Sequence, residues 1–233
     1  MIRPASHYRP GTHQRGEDTY RRILETAIQV FADEGYEGAS TRLLAERADV
    51  NLPAIQYYFG SKEGLYRAAI AHIAKFVESR MAQTANRVFE SLANDNLNQA
   101  ELRALVCEML DGFLDLVSCR DIPASAGLMI ARAEIEDATA LDLLQQTVMR
   151  LVFKPCMAAL ARLLDRPVED EQIKIRALAI FGQALVFKNH GTKTGACPAL
   201  GWHDLDTVRL ETIRGVLRQQ TEAILHAAIG SVL

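Results

Sequence analysis

From Thr19 to Glu34 apolar side chains recur at every third and fourth position: Tyr20, Ile23, Leu24, Ala27, Val30 and Phe31. That spacing predicts an amphipathic helix with one buried stripe, and Gly35 supplies its stop. Ser40 or Thr41 caps a second helix with the inner face Leu44, Ala45 and Ala48. Asp49-Val50-Asn51 breaks it, and a short helix starts at once. Asn51 caps that helix, Pro53 sits in its first turn, where a missing N–H has no partner to lose, and Gly60 closes it. Ser61 caps a fourth helix running to about Leu92, with Leu65, Ala69, Ile70 or Ile73, Phe76 and Met81 on one stripe. The polar run Asn94 to Gln99 is the first composition break and reads as a hinge.

Beyond it, helices are expected at Glu101–Val117, Ala124–Glu136, Thr139–Leu164 (bent at Pro155), Glu169–Phe187 and Leu205–Ala228. The longest loop-like run is Lys188 to Asp204. No stretch alternates apolar and polar residues over strand length, so the chain reads as all-α, with about nine helices and no internal repeat.

The bulk numbers narrow this only slightly. The 233 residues are 49% hydrophobic and 24% charged with a formal charge of -3, an ordinary globular balance without a global pull toward nucleic acid. The charge is uneven, however. Arg3, Arg9, Arg15, Arg21 and Arg22 precede residue 23 against Glu17 and Asp18. The plain reading is a flexible basic tail over residues 1–18; the functional one is an arm drawn to phosphate. Cys107, Cys119, Cys156 and Cys197 lack paired spacing, which suggests reduced thiols in the cytoplasm. No signal core or membrane-spanning run of about 18 apolar residues is present, so no membrane partner is expected.

The break at residues 49–51 carries the chemistry. With Thr41 as first position of a helix–turn–helix, Ala45 is the small residue at the helix crossing and Asp49 occupies the turn. Val50 and Ile55 pin the second helix to the first. Leu52, Pro53, Ala54, Gln56 and Tyr57 then face outward. Such an uncharged face suits a major groove, where Gln pairs with a base edge and Ala, Leu or Pro pack on a thymine methyl. Tyrosine hydroxyls, Thr41, Arg42 and the helix start at Ser61-Lys62 offer phosphate contacts. The alternative is a generic helical hairpin with Tyr57 and Tyr58 in its core.

The stretch FADEGYEGASTRLLAERADVNLPAIQYYFGSKEGLY resembles the N-terminal domain of TetR/AcrR-type transcriptional regulators. Phe31, Gly35, Ser40-Thr41, Leu44-Ala45, Ala48, Val50, Ile55, Phe59, Ser61-Lys62-Glu63 and Leu65 match the pattern. The likeness covers about residues 19–66. It implies DNA-facing positions at Ser40, Thr41, Arg42, Leu52, Pro53, Ala54, Gln56, Tyr57, Tyr58 and Lys62. Two departures stand out: Asp49 replaces the usual turn glycine, and Gln56 replaces a tyrosine that commonly contacts phosphate. The wording YYFGSKEGLY and the Gly201-Trp202 pair look most like the CecR branch.

That resemblance implies a three-helix DNA-binding domain at 19–66 and a larger ligand-binding and dimerisation domain at 67–233. It implies a homodimeric regulator, most often a repressor, that binds a pseudo-palindromic operator in double-stranded DNA and is released by a small-molecule effector. Ile173, Ala177, Phe181 and Leu185, with Leu210, Ile213, Leu217 and Ile224, form two broad apolar faces suited to a four-helix dimer interface. The same faces also suit burial within one subunit. Met109, Phe113, Met129, Phe153, Met157 and Phe181 are candidates for an apolar cavity, with Arg132, Glu134 or Gln183 as polar handle. Each is equally an ordinary core or surface residue.

Other signals are weak. HGTKTG at His190–Gly195 lacks phosphate-loop spacing, and the six histidines are dispersed, so neither a cofactor nor a metal is expected. No acid–base pair assembles into a catalytic site. Two rival readings stay open: a helical enzyme or small-molecule carrier that keeps the helix–turn–helix shape without DNA function, and a structural interaction module.

Overall fold

In the computed structural model, which describes residues 11–119, 121, 125–136, 138–188, 200–202 and 205–230, every regular element is helical. These are α1 (Gly11–Gly38), α2 (Thr41–Arg47), α3 (Leu52–Phe59), α4 (Lys62–Leu92), α5 (Gln99–Ser118) and α6 (Ala126–Glu136). A 3₁₀ turn at Ala138–Leu141 leads to α7 (Asp142–Val148), a π turn (Met149–Phe153) and α8 (Lys154–Leu163). Then come α9 (Glu171–Leu185) and α10 (Thr207–Gly230). No helix among the described residues is long and apolar enough to cross a membrane.

Two departures from the expected elements have local causes. α1 starts at Gly11, not Thr19. Residues 11–18 are polar and give no periodic signal, yet extending a helix that is already nucleated costs little. Residues 11–18 of the expected tail are thus helical, and residues 1–10, with Arg3 and Arg9, lie outside the described residues. The bend at Pro155 takes the form of the π turn just before it. Proline cannot donate to a carbonyl four residues back and its ring crowds that carbonyl, so the ladder widens; the Lys154 N–H bonds Met149 O, five back.

Contacts divide the chain into two compact units: residues 1–72 with 125–141, and residues 73–124 with 142–233. This division falls between His72 and Ile73, inside α4. One element also departs from chain order, because α6 packs with α1 in the first unit. In the second unit, α5, α8, α9 and α10 bury Val106, Met109, Leu110, Leu114, Leu160, Ile173, Ala177, Phe181, Ile213 and Leu217. Each buried Leu, Ile or Phe contributes about 1.5–3 kcal/mol.

The run Asn94–Gln99 is a capped connection in place of the expected hinge. Arg162 of α8 donates to the carbonyls of Leu92 at 2.7 Å, Asn94 at 3.0 Å and Asp95 at 3.1 Å. Asn98 and Glu101 close a reciprocal capping box on α5.

Candidate nucleic-acid interface

The α2–α3 pair is built by its caps. Ser40 Oγ accepts from Leu43 N–H at 3.1 Å, and Asn51 Oδ1 accepts from Ala54 N–H at 3.0 Å. Between them Asp49 adopts φ 50°, the left-handed region that the turn requires. Val50 N–H reaches back to Ala45 O at 3.0 Å. Leu44, Ala45, Ala48 and Ile55 are buried at the crossing.

That anchoring turns the opposite side of α3 outward. Leu52, Pro53 and Gln56 are exposed and Tyr57 is 82% exposed, while Ala54 and Tyr58 are half-buried. Ser40 and Arg42 are exposed and Thr41 half-buried at the start of α2. α4 follows after Gly60, capped by Ser61 Oγ, which accepts from Gly64 N–H at 3.0 Å. Gly64 is required there, since a Cβ would lie 2.1 Å from Phe59 O.

Two supports of this surface were not read from the sequence. Arg22 donates to Asp49 O at 3.3 Å, and Tyr20 stacks on Phe59 at 4.8 Å between centroids while meeting Tyr58 edge-on at 6.1 Å. Tyr20 stood on the apolar stripe of α1, so half of that signal was visible. Gly16, Tyr20, Arg21, Tyr57, Tyr58 and His72 line an open cleft of about 740 Å³ beside α3.

Lys62 differs from its expected setting. Its ammonium donates to Tyr36 O at 2.9 Å and lies 4.3 Å from the centre of the Tyr36 ring. The charge expected to face phosphate is engaged inside the unit.

The residues proposed for a ligand cavity separate into three places. Met109 and Phe181 are buried in the second unit. There the Phe181 ring meets Phe113 at 4.9 Å and Phe153, in the π turn, at 5.4 Å, and Met157 is half-buried. Met129 and Arg132 belong to α6 and hence to the first unit. Glu134, also on α6, is exposed. Gln183 points to α10 instead, donating to Thr221 Oγ1 at 2.8 Å beside a groove of about 420 Å³.

The apolar faces named for a dimer interface are corrected likewise. Ile173, Ala177, Phe181, Ile213 and Leu217 are all buried within one subunit, because they pack α9 and α10 against the core. Leu210 is half-buried, and Leu185 and Ile224 remain exposed. The outer sides of the same helices carry Ile175, Leu178, Val208 and Val216, also exposed.

An ionic cluster centred on the buried Asp111 joins α5 to α10. Asp111 accepts from Arg218 Nε at 2.6 Å and pairs with Arg214 at 3.4 Å, and Arg214 reaches Asp115 at 2.6 Å. Burial pushes the nearby Cys107 thiol up to about 11 and the Cys156 thiol up to about 12. Cys197 and His190–Gly195 lie outside the described residues. Among the described residues no group of His, Cys, Asp and Glu could hold a metal ion.

Residues 23–69 match the model of bacterial regulatory proteins of the tetR family. Residues 98–228 match the C-terminal domain of the HTH-type transcriptional dual regulator CecR. The chain belongs to the TetR family, in its CecR branch. The CecR protein of Shigella flexneri is 25% identical over 93% of this chain and 96% of its own. The repressor NicS of Pseudomonas putida is 38% identical over 26% of this chain and 28% of its own. Among solved structures, a TetR-like regulator from Rhodococcus sp. RHA1 shares the fold with TM-score 0.55 at 18% identity, over 89% of this chain and 96% of that one. AibR, solved with isovaleryl coenzyme A and operator DNA, gives TM-score 0.54 at 17% identity, over 87% of this chain and 97% of that one.

As a TetR-family member this chain is a DNA-binding transcriptional regulator. The stretch matched to the DNA-binding family model takes in α2, α3 and the first turns of α4. The CecR-type match takes in α6, the helix that packs on α1.

Proposed function

We propose that this regulator is a cytoplasmic repressor that binds a pseudo-palindromic operator as a homodimer and is released by a small apolar effector. The observation that carries the reading is the outer face of α3. Leu52, Pro53, Gln56 and Tyr57 stand exposed without a formal charge, on a helix capped at its start and locked by Ile55. A solvated helix gains nothing from such a face, whereas a major groove does. On this reading Gln56 addresses a base edge, and Ser40, Thr41, Arg42, Tyr57 and Tyr58 address the backbone.

The dimer is supported by the outer sides of α9 and α10. Ile175, Leu178 and Leu185 share a side of α9 with Gly182, whose outward direction is open, as is that of Gly215 on α10. Small residues between exposed apolar ones admit close approach of helices from a second subunit, and the groove at Gln172, Ile175, Thr221 and Ile224 receives side chains. A twofold axis through these helices presents two copies of α3 to two half-sites.

On this reading an effector of apolar character binds at the Phe113, Phe153 and Phe181 cluster beside the π turn, an element often found at functional sites. Its effect requires only different affinity for the DNA-competent and released states, transmitted along α4. Relatives include the repressors NicS and AcnR and the activator FasR, and the repressor reading follows the former pair.

Selection of random duplexes with the full chain, then footprinting of the selected DNA with a compound panel, tests this reading. Enrichment of a two-half-site sequence, released by an apolar compound, is expected. Failure to enrich any sequence would sink it and favour a helical ligand-binding protein without DNA function.

A further inference from the structure

At Gly35 the backbone leaves helical geometry, with φ 73° and ψ 174°. Two nearby peptide groups, 33–34 and 35–36, are taken up by α6, which is remote in sequence. Arg132 donates to Asp33 O at 3.0 Å, and Glu136 accepts from Tyr36 N–H at 2.8 Å. The two side chains lie one turn apart on the same side of α6, 4.0 Å from each other. Both bonds involve an ionised partner and so rank among the stronger kinds.

Gly35 is needed twice over. Its positive φ disfavours any side chain, and a Cβ would sit 2.6 Å from Glu136 Oε1 and 3.0 Å from Arg132 Nη1. The absence of a side chain at Gly35 is what lets α6 reach the backbone of α1.

Tyr36 is held from the other side as well. Its carbonyl and ring both engage Lys62, the first residue of α4, and the ring packs 5.0 Å from Tyr66. One residue therefore joins the end of α1, α6 and the start of α4, directly behind the Ser61 cap that follows α3.

We propose that Arg132 and Glu136 are positioning residues for DNA binding. Resting on the DNA-binding reading above, they fix residues 33–36 and, through Tyr36 and Lys62, the angle at which the first turn of α4 and the preceding α3 meet α1. Neither touches DNA. Arg132 is engaged by Asp33 O and Glu136, so its charge is not spent on phosphate.

The test uses the full-length chain and a duplex selected by the wild type from a random library. Arg132→Ala and Glu136→Ala are each expected to weaken binding about tenfold. The slope of log affinity against log salt stays unchanged, because no phosphate contact is lost. The double variant is no weaker than the single ones by much, since both open one clasp. Glu136→Gln, whose amide oxygen still accepts from Tyr36 N–H, keeps near wild-type affinity. Hydrogen exchange at the Tyr36 amide rises in the alanine variants and not in Glu136→Gln. Where alanine prevents folding, Glu136→Asp, with the charge kept and the reach shortened, is expected to show the same weakening.

Wild-type affinity alongside fast Tyr36 exchange overturns the proposal, as does a Glu136→Gln variant as weak as Glu136→Ala. A reduced salt slope in Arg132→Ala overturns it too, by showing a phosphate contact. A wild-type chain that selects no duplex while Tyr36 exchange responds as stated removes the DNA-binding reading, and the positioning role with it.

Discussion

The guanidinium of Arg22 donates to the carbonyl oxygen of Asp49 at 3.3 Å, tying the first helix to the turn between α2 and α3. Asp49 holds φ 50° there, a conformation glycine adopts freely and aspartate adopts at some cost. Asp49→Gly is expected to stabilise the fold by about 0.5 kcal/mol, the relief of strain exceeding the added freedom of the unfolded chain. Arg22→Ala is expected to cost about 1 kcal/mol, since the turn loses its external hydrogen bond. Thermal unfolding of the two variants and their combination measures both.

Gln56 and Arg42 separate base reading from charge attraction. Gln56→Ala is expected to lose about 1–3 kcal/mol of discrimination at one base pair of the half-site while the salt slope holds. Arg42→Ala is expected to weaken all sequences alike and lower the slope by about 1. Lys62→Ala, with its ammonium on Tyr36, is expected to weaken binding and leave the slope alone. Binding titrations at several salt concentrations on matched and single-mismatch duplexes distinguish the three.

The inner and outer sides of α9 predict opposite behaviour. Leu178→Glu, at a residue 58% exposed on one subunit, is expected to give a folded monomer by sedimentation equilibrium. Ile173→Ala, at a fully buried position, is expected to cost about 2–4 kcal/mol of stability without removing the outer surface. A Leu178→Glu chain that stays dimeric would exclude this face from the interface.

The buried thiols set an alkaline limit. Cys107 and Cys156 rise from 9.0 to about 11 and about 12, chiefly through burial. Between pH 9 and those values the unfolded chain releases protons that the folded chain retains. Their contribution is therefore complete below pH 9 and is lost as pH climbs through the window. Urea unfolding at pH 8.5 and 10.5 is expected to show lower stability at the higher pH. The fall should be smaller in a Cys107→Ala, Cys156→Ala chain, whatever its absolute stability.

The helices and the α3 face were legible because local rules wrote them. Ser40, Asn51 and Ser61 each cap the helix that follows, and Ile55 points inward opposite Gln56. Helices α9 and α10 were not legible as to side. α9 carries Ile173, Ala177 and Phe181 on one side and Ile175, Leu178 and Leu185 on another, so no single stripe marks the core. Arg132 was open to reading as a cavity's polar handle or a surface residue because its partner, the carbonyl of Asp33, lies 99 residues away and backbone carbonyls carry no sequence signature. The engagement of Lys62 with Tyr36 was hidden for the same reason.

The packing of α6 on α1 also bears on how a chimera of two such regulators is cut. A recombinant joined after residue 72 would carry the caps, the turn and α3 of one parent, but would meet the other parent's residues at the positions of Arg132 and Glu136. On the positioning role proposed for Arg132 and Glu136, the module for DNA recognition is discontinuous along the chain. A chimera is expected to keep its parent's binding strength only when the segment 125–141 travels with the first 72 residues.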